Sequence, residues 1–148
     1  MTDIEIRALA TDDRAQWDAL YRGYADFYRV AQTDAMRDRV WGWLMDEGHE
    51  VSGIVAVREG ALVGLAHHRP FARPLAASTG LFLDDLFVTP QARGTGVVDA
   101  LMARLAEIAR AEGHSVVRWI TQEDNARARA VYDRVGAAIP FATYDMPV

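Results

Sequence analysis

Hydrophobic positions near the start of the chain first alternate and then recur every three or four residues. Ile4 and Ile6 alternate with polar neighbours, which predicts a half-buried first strand. Residues 11–13 offer N-cap candidates for a helix with an aromatic-rich face, and a second helix is predicted from Thr33 to about Asp46. The inward residues are expected to be Trp17, Leu20, Tyr21, Tyr24, Phe27 and Tyr28 in the first helix and Met36, Val40, Trp43 and Leu44 in the second.

Two strands are predicted next, over residues 51–57 and 61–68. Glu59-Gly60 lies between them and predicts a hairpin turn. Residues 69–78 contain prolines at two positions and predict a surface loop. The hairpin and the loop would therefore precede the most apolar part of the chain.

Residues 81–99 predict a buried strand, a turn and the start of a helix. The strand is apolar on both faces, as a central strand requires, except at Asp84 and Asp85, which are expected to point to opposite faces. Gly94 and Gly96 permit backbone conformations that are closed to other residues. The first N–H groups of the helix lack intrahelical partners, so the turn is typical of a phosphate or pyrophosphate site. The alternative interpretation is a tight turn between a strand and a helix that binds no ligand, because the same two glycines would suit it.

The remaining residues predict two more helices and a further strand. A helix ends at Gly113, a buried strand covers residues 116–120, and a second helix is capped by Asp124 or Asn125. A short closing strand pair is predicted over residues 139–148. We therefore expect residues 1–148 to form one α/β (α+β) domain, with a single mixed, mostly antiparallel central sheet flanked by helices.

The composition excludes several classes of protein. The chain has 148 residues, a net charge of -5 and no cysteine. The acidic balance argues against nucleic-acid binding, and the lack of a long apolar run or a signal-peptide pattern argues against a membrane location and favours the cytoplasm. Without cysteine, disulfides, thiolate metal sites and a thiol nucleophile are excluded. His67 and His68 are adjacent on a strand and point to opposite faces, so no metal site is expected.

The glycine turn differs from the phosphate loops of nucleotide-binding proteins. No Gly-Lys-Ser/Thr follows it, which argues against an ATP or GTP cradle. A third glycine at the dinucleotide spacing is also missing, which argues against a Rossmann unit.

Three segments carry a resemblance to a known family. Residues 91–97, QARGTGV, resemble the acetyl-CoA pyrophosphate loop (Q/R-x-x-G-x-G/A) of the GCN5-related N-acetyltransferase (GNAT) family. Residues 83–88, LDDLFV, resemble the preceding strand of its polyamine-type and yeast histone-type members, and residues 125–137, NARARAVYDRVGA, resemble its second cofactor segment. The resemblance implies a GNAT-like acyl-CoA N-acyltransferase fold and acetyl-CoA as co-substrate.

The same resemblance assigns roles to individual residues. Tyr132 matches the family's general acid, and Asp84 matches a carboxylate that helps to deprotonate the amine in the polyamine-type enzymes. The residues themselves leave other interpretations open: Tyr132 as a core aromatic, Asp84 or Asp85 in structural ion pairs, and Asn125 as a plain N-cap. The cofactor contacts implied by the resemblance are Leu86, Phe87, Val88, Arg93, Gly94, Thr95, Gly96, Val97 and Asn125.

These features predict an acetyl-CoA-dependent N-acetyltransferase that moves an acetyl group to a primary amine by direct attack in a ternary complex. A catalytically silent acetyl-CoA-binding sensor and a nucleotide-binding protein are the alternatives. The acceptor is expected to be a small-molecule or lysine-type amine. Tyr24, Phe27 or Tyr28, and one of the adjacent histidines, are candidates for its pocket. A homodimer is expected from the resembling branches and from the apolar segment 139–146, whose strand edge can pair across a two-fold axis.

Overall fold

Within residues 3–148, which the computed structural model describes, five strands form one sheet and four α-helices flank it. The strands are β1 (Glu5–Ala8), β2 (Ser52–Arg58), β3 (Ala61–Arg73), β4 (Ser78–Val88) and β5 (Val117–Arg118), and the helices are α1 (Arg14–Phe27), α2 (Asp34–Met45), α3 (Val97–Ala111) and α4 (Ala126–Val135). The strand order is β1-β2-β3-β4-β5. Neighbouring strands are antiparallel except β4 and β5, which are parallel, so the predicted fold class is confirmed.

Helices cover the sheet on both faces. On one face α1 and α2 pack over the strands, with Trp17 and Leu65 fully buried. On the other face α3 packs against β3 and β4, with Leu81, Leu101 and Leu105 fully buried. Successive residues of the central strands therefore enter two different apolar layers, which explains why their sequence is almost continuously apolar.

The α1 helix keeps most of its predicted inward face. Trp17 and Leu20 are buried, but Phe27 is 53% exposed at the end of the helix, so its predicted burial is wrong. Asp13, a predicted N-cap, makes no capping hydrogen bond to α1. Its carboxylate instead accepts hydrogen bonds from the Arg7 guanidinium at 2.7 and 2.9 Å, which ties the start of α1 to β1.

The α2 helix begins as predicted but buries a different side. The Thr33 Oγ1 atom accepts a hydrogen bond from the Met36 N–H at 3.1 Å, as an N-cap does. Met36 and Trp43 are 44% and 36% exposed, so the prediction that both face inward is wrong. Arg37 is buried instead, because its guanidinium is paired with carboxylates, including Asp18 at an Nε–Oδ1 distance of 2.9 Å.

The predicted surface loop over residues 69–78 is wrong for most of its length. β3 continues to Arg73 and β4 starts at Ser78, so the two strands form a long hairpin closed by a 3-10 turn. Pro70 lies within β3, where it pairs with Leu81 of β4. The ladder with β2 ends opposite His68, which makes this part of β3 an edge strand, where proline is tolerated.

α4 begins after Asn125 and ends before Gly136 as predicted, but the strands predicted around it are wrong. β5 contains only two residues, and Ile120, predicted to be buried in this strand, is 63% exposed. Residues 136–148 contain no strand or helix, so the closing strand pair is absent from the structure. Pro140 and Pro147 each lack the N–H group that a strand ladder needs. No helix of the described residues is both long and apolar enough to span a bilayer.

A substitution at Gly80 tests whether β3 and β4 form the extended hairpin. A Cβ atom at this position would lie 2.5 Å from Phe71 Cε1 and 3.1 Å from Val116 Cγ2. We expect Gly80→Ala to lower the free energy of unfolding by about 1–3 kcal/mol, because the Phe71 ring must move. Gly42→Ala is the matched control, since a Cβ there meets no atom within 4 Å and alanine favours a helix. Equal urea midpoints for the two variants would contradict the extended pairing.

Candidate active site

The site is built where β4 and β5 separate. The parallel ladder consists of two pairs, Leu81–Val117 and Phe82–Arg118. β4 continues beyond it, and from Leu83 onward the described part of the chain places no strand on that edge of β4. Backbone N–H and C=O groups on such an open edge are available to an extended ligand.

The cleft opened by this separation brings the two predicted catalytic residues together. Asp84 of β4 and Tyr132 of α4 both line it. The Tyr132 and Trp119 rings meet at a steep angle with their centroids 5.4 Å apart. Tyr24, Tyr28 and Trp119 also line the cleft. A carboxylate and a phenol therefore share one small cleft, whose other lining residues are partly aromatic and partly aliphatic.

Tyr132 carries a proton at neutral pH. Burial, and after it the neighbouring Tyr28, raises the pKa of Tyr132 to about 12. The hydroxyl can therefore donate a proton but does not act as a base. Asn125 begins the helix that carries Tyr132, and its Oδ1 accepts a hydrogen bond from the Ala128 N–H at 3.2 Å. This is the N-cap interpretation of Asn125, whereas its contact with a cofactor stays a prediction.

Asp84 forms the ion pair that one of its interpretations predicts. Arg69 Nε donates to the two carboxylate oxygens at 3.1 and 3.2 Å. Burial raises the pKa of Asp84 and Arg69 opposes this effect without cancelling it, so the pKa lies above the usual value for aspartate. The side chain remains 29% exposed, so the carboxylate is accessible from the cleft.

A β-bulge separates the two adjacent aspartates. His67 of β3 pairs with Asp85, and His68 pairs with Leu83, so Asp84 is the extra residue. Simple alternation of faces therefore does not describe this part of the strand. Bulges bend a strand and redirect side chains, and this one directs Asp84 to the cleft and Asp85 to α1.

Asp85 belongs to a buried hydrogen-bond network that the sequence did not predict. The Trp17 Nε1–H donates to His67 Nε2 at 2.9 Å, and His67 Nδ1 lies 2.8 Å from Asp85 Oδ2. Tyr21 donates its hydroxyl proton to the same oxygen at 2.9 Å. An indole N–H can only donate, so His67 Nε2 must accept and the ring is the neutral Nδ1–H tautomer.

This network keeps Asp85 charged. Burial alone would raise the pKa of Asp85, but the hydrogen bond from His67, followed by those from Tyr21 and Tyr24, lowers it below the usual value. Burial and the Asp85 charge hold the pKa of Tyr21 well above its usual range, so Tyr21 remains a donor. The four-residue spacing of Trp17 and Tyr21 predicts that they share a helix face. Their partners, His67 and Asp85, depend on the strand register, which the sequence pattern does not reveal.

The glycine turn has the conformation that its sequence predicts. Gly94 and Gly96 have φ angles of 75° and 90°, and Val97 is the first residue of α3. Gly96, the N-cap residue, has no side chain to satisfy the first helical N–H groups. A Cβ atom on either glycine would meet no atom within 4 Å, so the space above the turn is open to a ligand.

Arg93 lies beside the turn, stacked on aromatic rings. Its guanidinium carbon is 5.5 Å from the Phe27 ring centroid and 5.9 Å from that of Phe87. These side chains line a groove of about 640 Å³ between α1 and residues 89–93. The positive charge is thus held near the phosphate-type turn by cation–π contacts.

The two adjacent histidines have separate surroundings. His67 belongs to the network with Asp85, while burial lowers the pKa of His68 to about 4, so His68 is neutral near pH 7. Across residues 3–148, no three His, Asp or Glu side chains cluster in a way that could hold a metal ion.

Comparison with known proteins identifies the family. The model of the acetyltransferase (GNAT) family matches residues 17–137. The chain belongs to the GNAT family. It is 28% identical over 133 residues to the uncharacterized N-acetyltransferase YhfO of Bacillus subtilis, covering 90% of this chain and 89% of YhfO. It is also 25% identical to the D-amino-acid N-acetyltransferase HPA3 of Saccharomyces cerevisiae, covering 89% of this chain and 83% of HPA3.

A solved structure supports the fold. The aminoglycoside N-acetyltransferase AAC(6')-Iy in complex with CoA superposes with a TM-score of 0.86 at 16% identity, covering 100% of this chain and 96% of that one. The family and the two relatives make this GNAT protein an acyltransferase, an acetyl-CoA-dependent N-acetyltransferase. The family resemblance seen in residues 83–137 is confirmed, and the sensor and nucleotide-binding alternatives are not supported.

Proposed function

We propose that this GNAT enzyme acetylates a primary amine of a small molecule by direct attack in a ternary complex. The observation that carries the proposal is the meeting of Asp84 and Tyr132 in one cleft beside the open edge of β4. A donor bound along that edge and an amine entering beside Asp84 would have the proximity that direct transfer requires. The chain has no cysteine that could form an acyl-enzyme.

Two features support a donor site made of the residues named from the sequence. The open edge of β4, at Leu86, Phe87 and Val88, offers backbone groups to the amides of a pantetheine arm. The turn with Gly94 and Gly96 offers helix N-terminal N–H groups to a pyrophosphate. Acetyl-CoA, when bound there, supplies a thioester whose carbonyl carbon a neutral amine can attack.

The proton transfers use both residues of the cleft. Asp84 accepts a proton from the ammonium group, directly or through water, and leaves a nitrogen lone pair. The nitrogen bonds to the thioester carbon, the carbon–sulfur bond breaks, and Tyr132 gives its proton to the departing sulfur. The nitrogen of the tetrahedral adduct loses its second proton to water, which leaves the neutral amide. Solvent then takes the proton from Asp84 and restores that of Tyr132, so the net reaction releases one proton.

A cationic acceptor is supported by the charges near the cleft. Asp85, next to Asp84 in β4, has a lowered pKa and keeps its negative charge close to the cleft, although its side chain points to α1. Tyr24 and Tyr28 add ring faces that favour an ammonium group. The relative HPA3 is named for D-amino acids, which is consistent with a small acceptor.

An amine panel with detection of the released thiol tests this proposal. Polyamines, D- and L-amino acids, aminoglycosides and a lysine peptide are each mixed with acetyl-CoA and enzyme. We expect CoA release with at least one small primary amine and none with its tertiary-amine analogue. Turnover with the peptide alone, or with no amine, would contradict the proposal.

We also propose that two copies of the chain associate through residues 139–148. Phe141, Tyr144 and Met146 are 80%, 89% and 86% exposed, and no regular strand of the described residues covers them. A second copy would bury these side chains on both subunits at once. Light scattering at micromolar concentration should give a dimer mass, and Phe141→Ser with Tyr144→Ser should give a monomer. A monomeric parent protein would refute this assignment.

Tyr132→Phe should lower turnover while leaving the fold and the Michaelis constant for acetyl-CoA nearly unchanged. It removes one hydroxyl, and a thiolate is a tolerable leaving group, so the catalytic constant should fall roughly 10- to 1000-fold. Steady-state kinetics with an acceptor from the panel measure the effect. Tyr144→Phe removes the same group outside the cleft and keeps the ring that the proposed dimer would bury, so it should have no effect on turnover. Wild-type turnover by Tyr132→Phe would make Tyr132 a packing residue.

Asp84→Asn should lower activity and flatten the acidic limb of the rate–pH profile. The raised pKa of Asp84 means that the active, ionised form is lost at a higher pH than for an ordinary aspartate as the solution is acidified. The acidic limb of the parent enzyme should therefore lie above pH ~3.9. Asp85→Asn is the comparison variant. If it removes the acidic limb and Asp84→Asn does not, the roles of the two aspartates are reversed.

A further inference from the structure

The donor turn contains a threonine between two glycines. Gly94 and Gly96 have positive φ angles, and neither has a side chain that restricts its backbone. Such a segment loses much conformational entropy when it is fixed around a ligand. A turn that binds phosphates well should therefore be held in place before the ligand arrives.

Thr95 makes contacts that hold the turn. Its hydroxyl donates a hydrogen bond to the Ala92 carbonyl oxygen, which closes the turn on itself. The same oxygen accepts hydrogen bonds from Arg58 Nη1 and Nη2, each at 3.2 Å. A hydroxyl has one proton and two acceptor positions, so all hydrogen-bonding positions of the Thr95 hydroxyl are occupied. Backbone N–H groups, and not this hydroxyl, are then what the turn offers to a phosphate.

Arg58 reaches the turn from a different part of the sheet. It is the last residue of β2, which is separated from β4 by β3. Its Nε atom is buried and has no hydrogen-bond partner within residues 3–148. A buried N–H group without a partner is unfavourable, so the position of this guanidinium needs a reason beyond local stability.

We propose that Arg58 is a positioning residue that acts through Thr95 to preorganise the turn at residues 93–97 for the phosphate groups of acetyl-CoA. The inference rests on the proposed use of this turn as the donor site. Arg58 fixes the Thr95 hydroxyl and the hydroxyl fixes the Ala92 carbonyl, while the space above Gly94 and Gly96 stays open to a ligand. The affinity for the donor is then set partly by a residue that does not touch it.

Two acetyl donors distinguish this role from general structural support. Acetyl-CoA carries the pyrophosphate, and acetyl-pantetheine lacks every phosphate. Arg58→Gln and Thr95→Val should each raise the Michaelis constant for acetyl-CoA roughly tenfold, as the loss of a hydrogen bond to a charged group predicts. The catalytic constant should stay within about twofold. With acetyl-pantetheine the same variants should match the parent enzyme.

The pair of variants also tests whether the effect passes through Thr95. The double variant should bind no more weakly than the weaker single variant, because both break one chain of contacts. Arg58→Lys keeps the positive charge but lacks the two guanidinium nitrogens that donate to Thr95. Its affinity for the donor should therefore resemble that of Arg58→Gln. Arg110→Gln is the control for loss of one positive charge, since it lies at the far end of α3, about 20 Å from the turn.

Calorimetric binding of CoA without an acceptor keeps this test separate from the acetyl-transfer reaction, and thermal melting checks that each variant is folded. An unchanged affinity in folded Arg58→Gln would overturn the inference even if the enzyme turns over normally. Equal losses with acetyl-pantetheine, strictly additive effects in the double variant, or full recovery by Arg58→Lys would also overturn it. Failure of the parent enzyme to transfer acetyl groups would count against the proposed function alone.

Discussion

The separation of β4 from β5 is the constraint on which the site depends. Two residue pairs hold the strands together, and the cleft begins where the ladder stops. A longer β5 would satisfy the backbone groups of β4 and close the space that Asp84 and Tyr132 share. The rest of the architecture keeps β4 rigid while one of its edges is open. β3 pairs along nearly its whole length, α1 covers one face and α3 covers the other.

Two adjacent aspartates acquire different properties from their neighbours. Asp84 has an arginine partner but a raised pKa, because burial outweighs the ion pair. Asp85 is more enclosed yet keeps a lowered pKa, because its neighbours donate several hydrogen bonds to its carboxylate. The β-bulge at this point is what gives them different surroundings. The surroundings of each carboxylate therefore set its pKa, as they do in sites where two neighbouring acids have different roles.

Local signals predicted the parts of the fold that depend on a few neighbouring residues. Glu59-Gly60 predicted the hairpin, and both residues have positive φ angles; Thr33 predicted the start of α2. Gly94 and Gly96 predicted the turn before α3. The predictions were wrong or incomplete where the local structure depends on residues that are distant in the sequence. Pro70 suggested a loop, but the end of β2 makes that part of β3 an edge, and the contact of His67 with Asp85 depends on a bulge that no local pattern reveals.

The two sides of the cleft come from different stretches of the chain. Tyr24 belongs to α1 and Tyr28 directly follows it, whereas the turn proposed to bind the donor is made by the connection from β4 to α3. Substitutions at Tyr24 and Tyr28 can reshape the proposed acceptor wall without altering the backbone of that turn, whereas Phe27 between them also contacts Arg93. The architecture is therefore modular: a lineage, or a laboratory selection, can explore new acceptors while retaining the same acetyl donor.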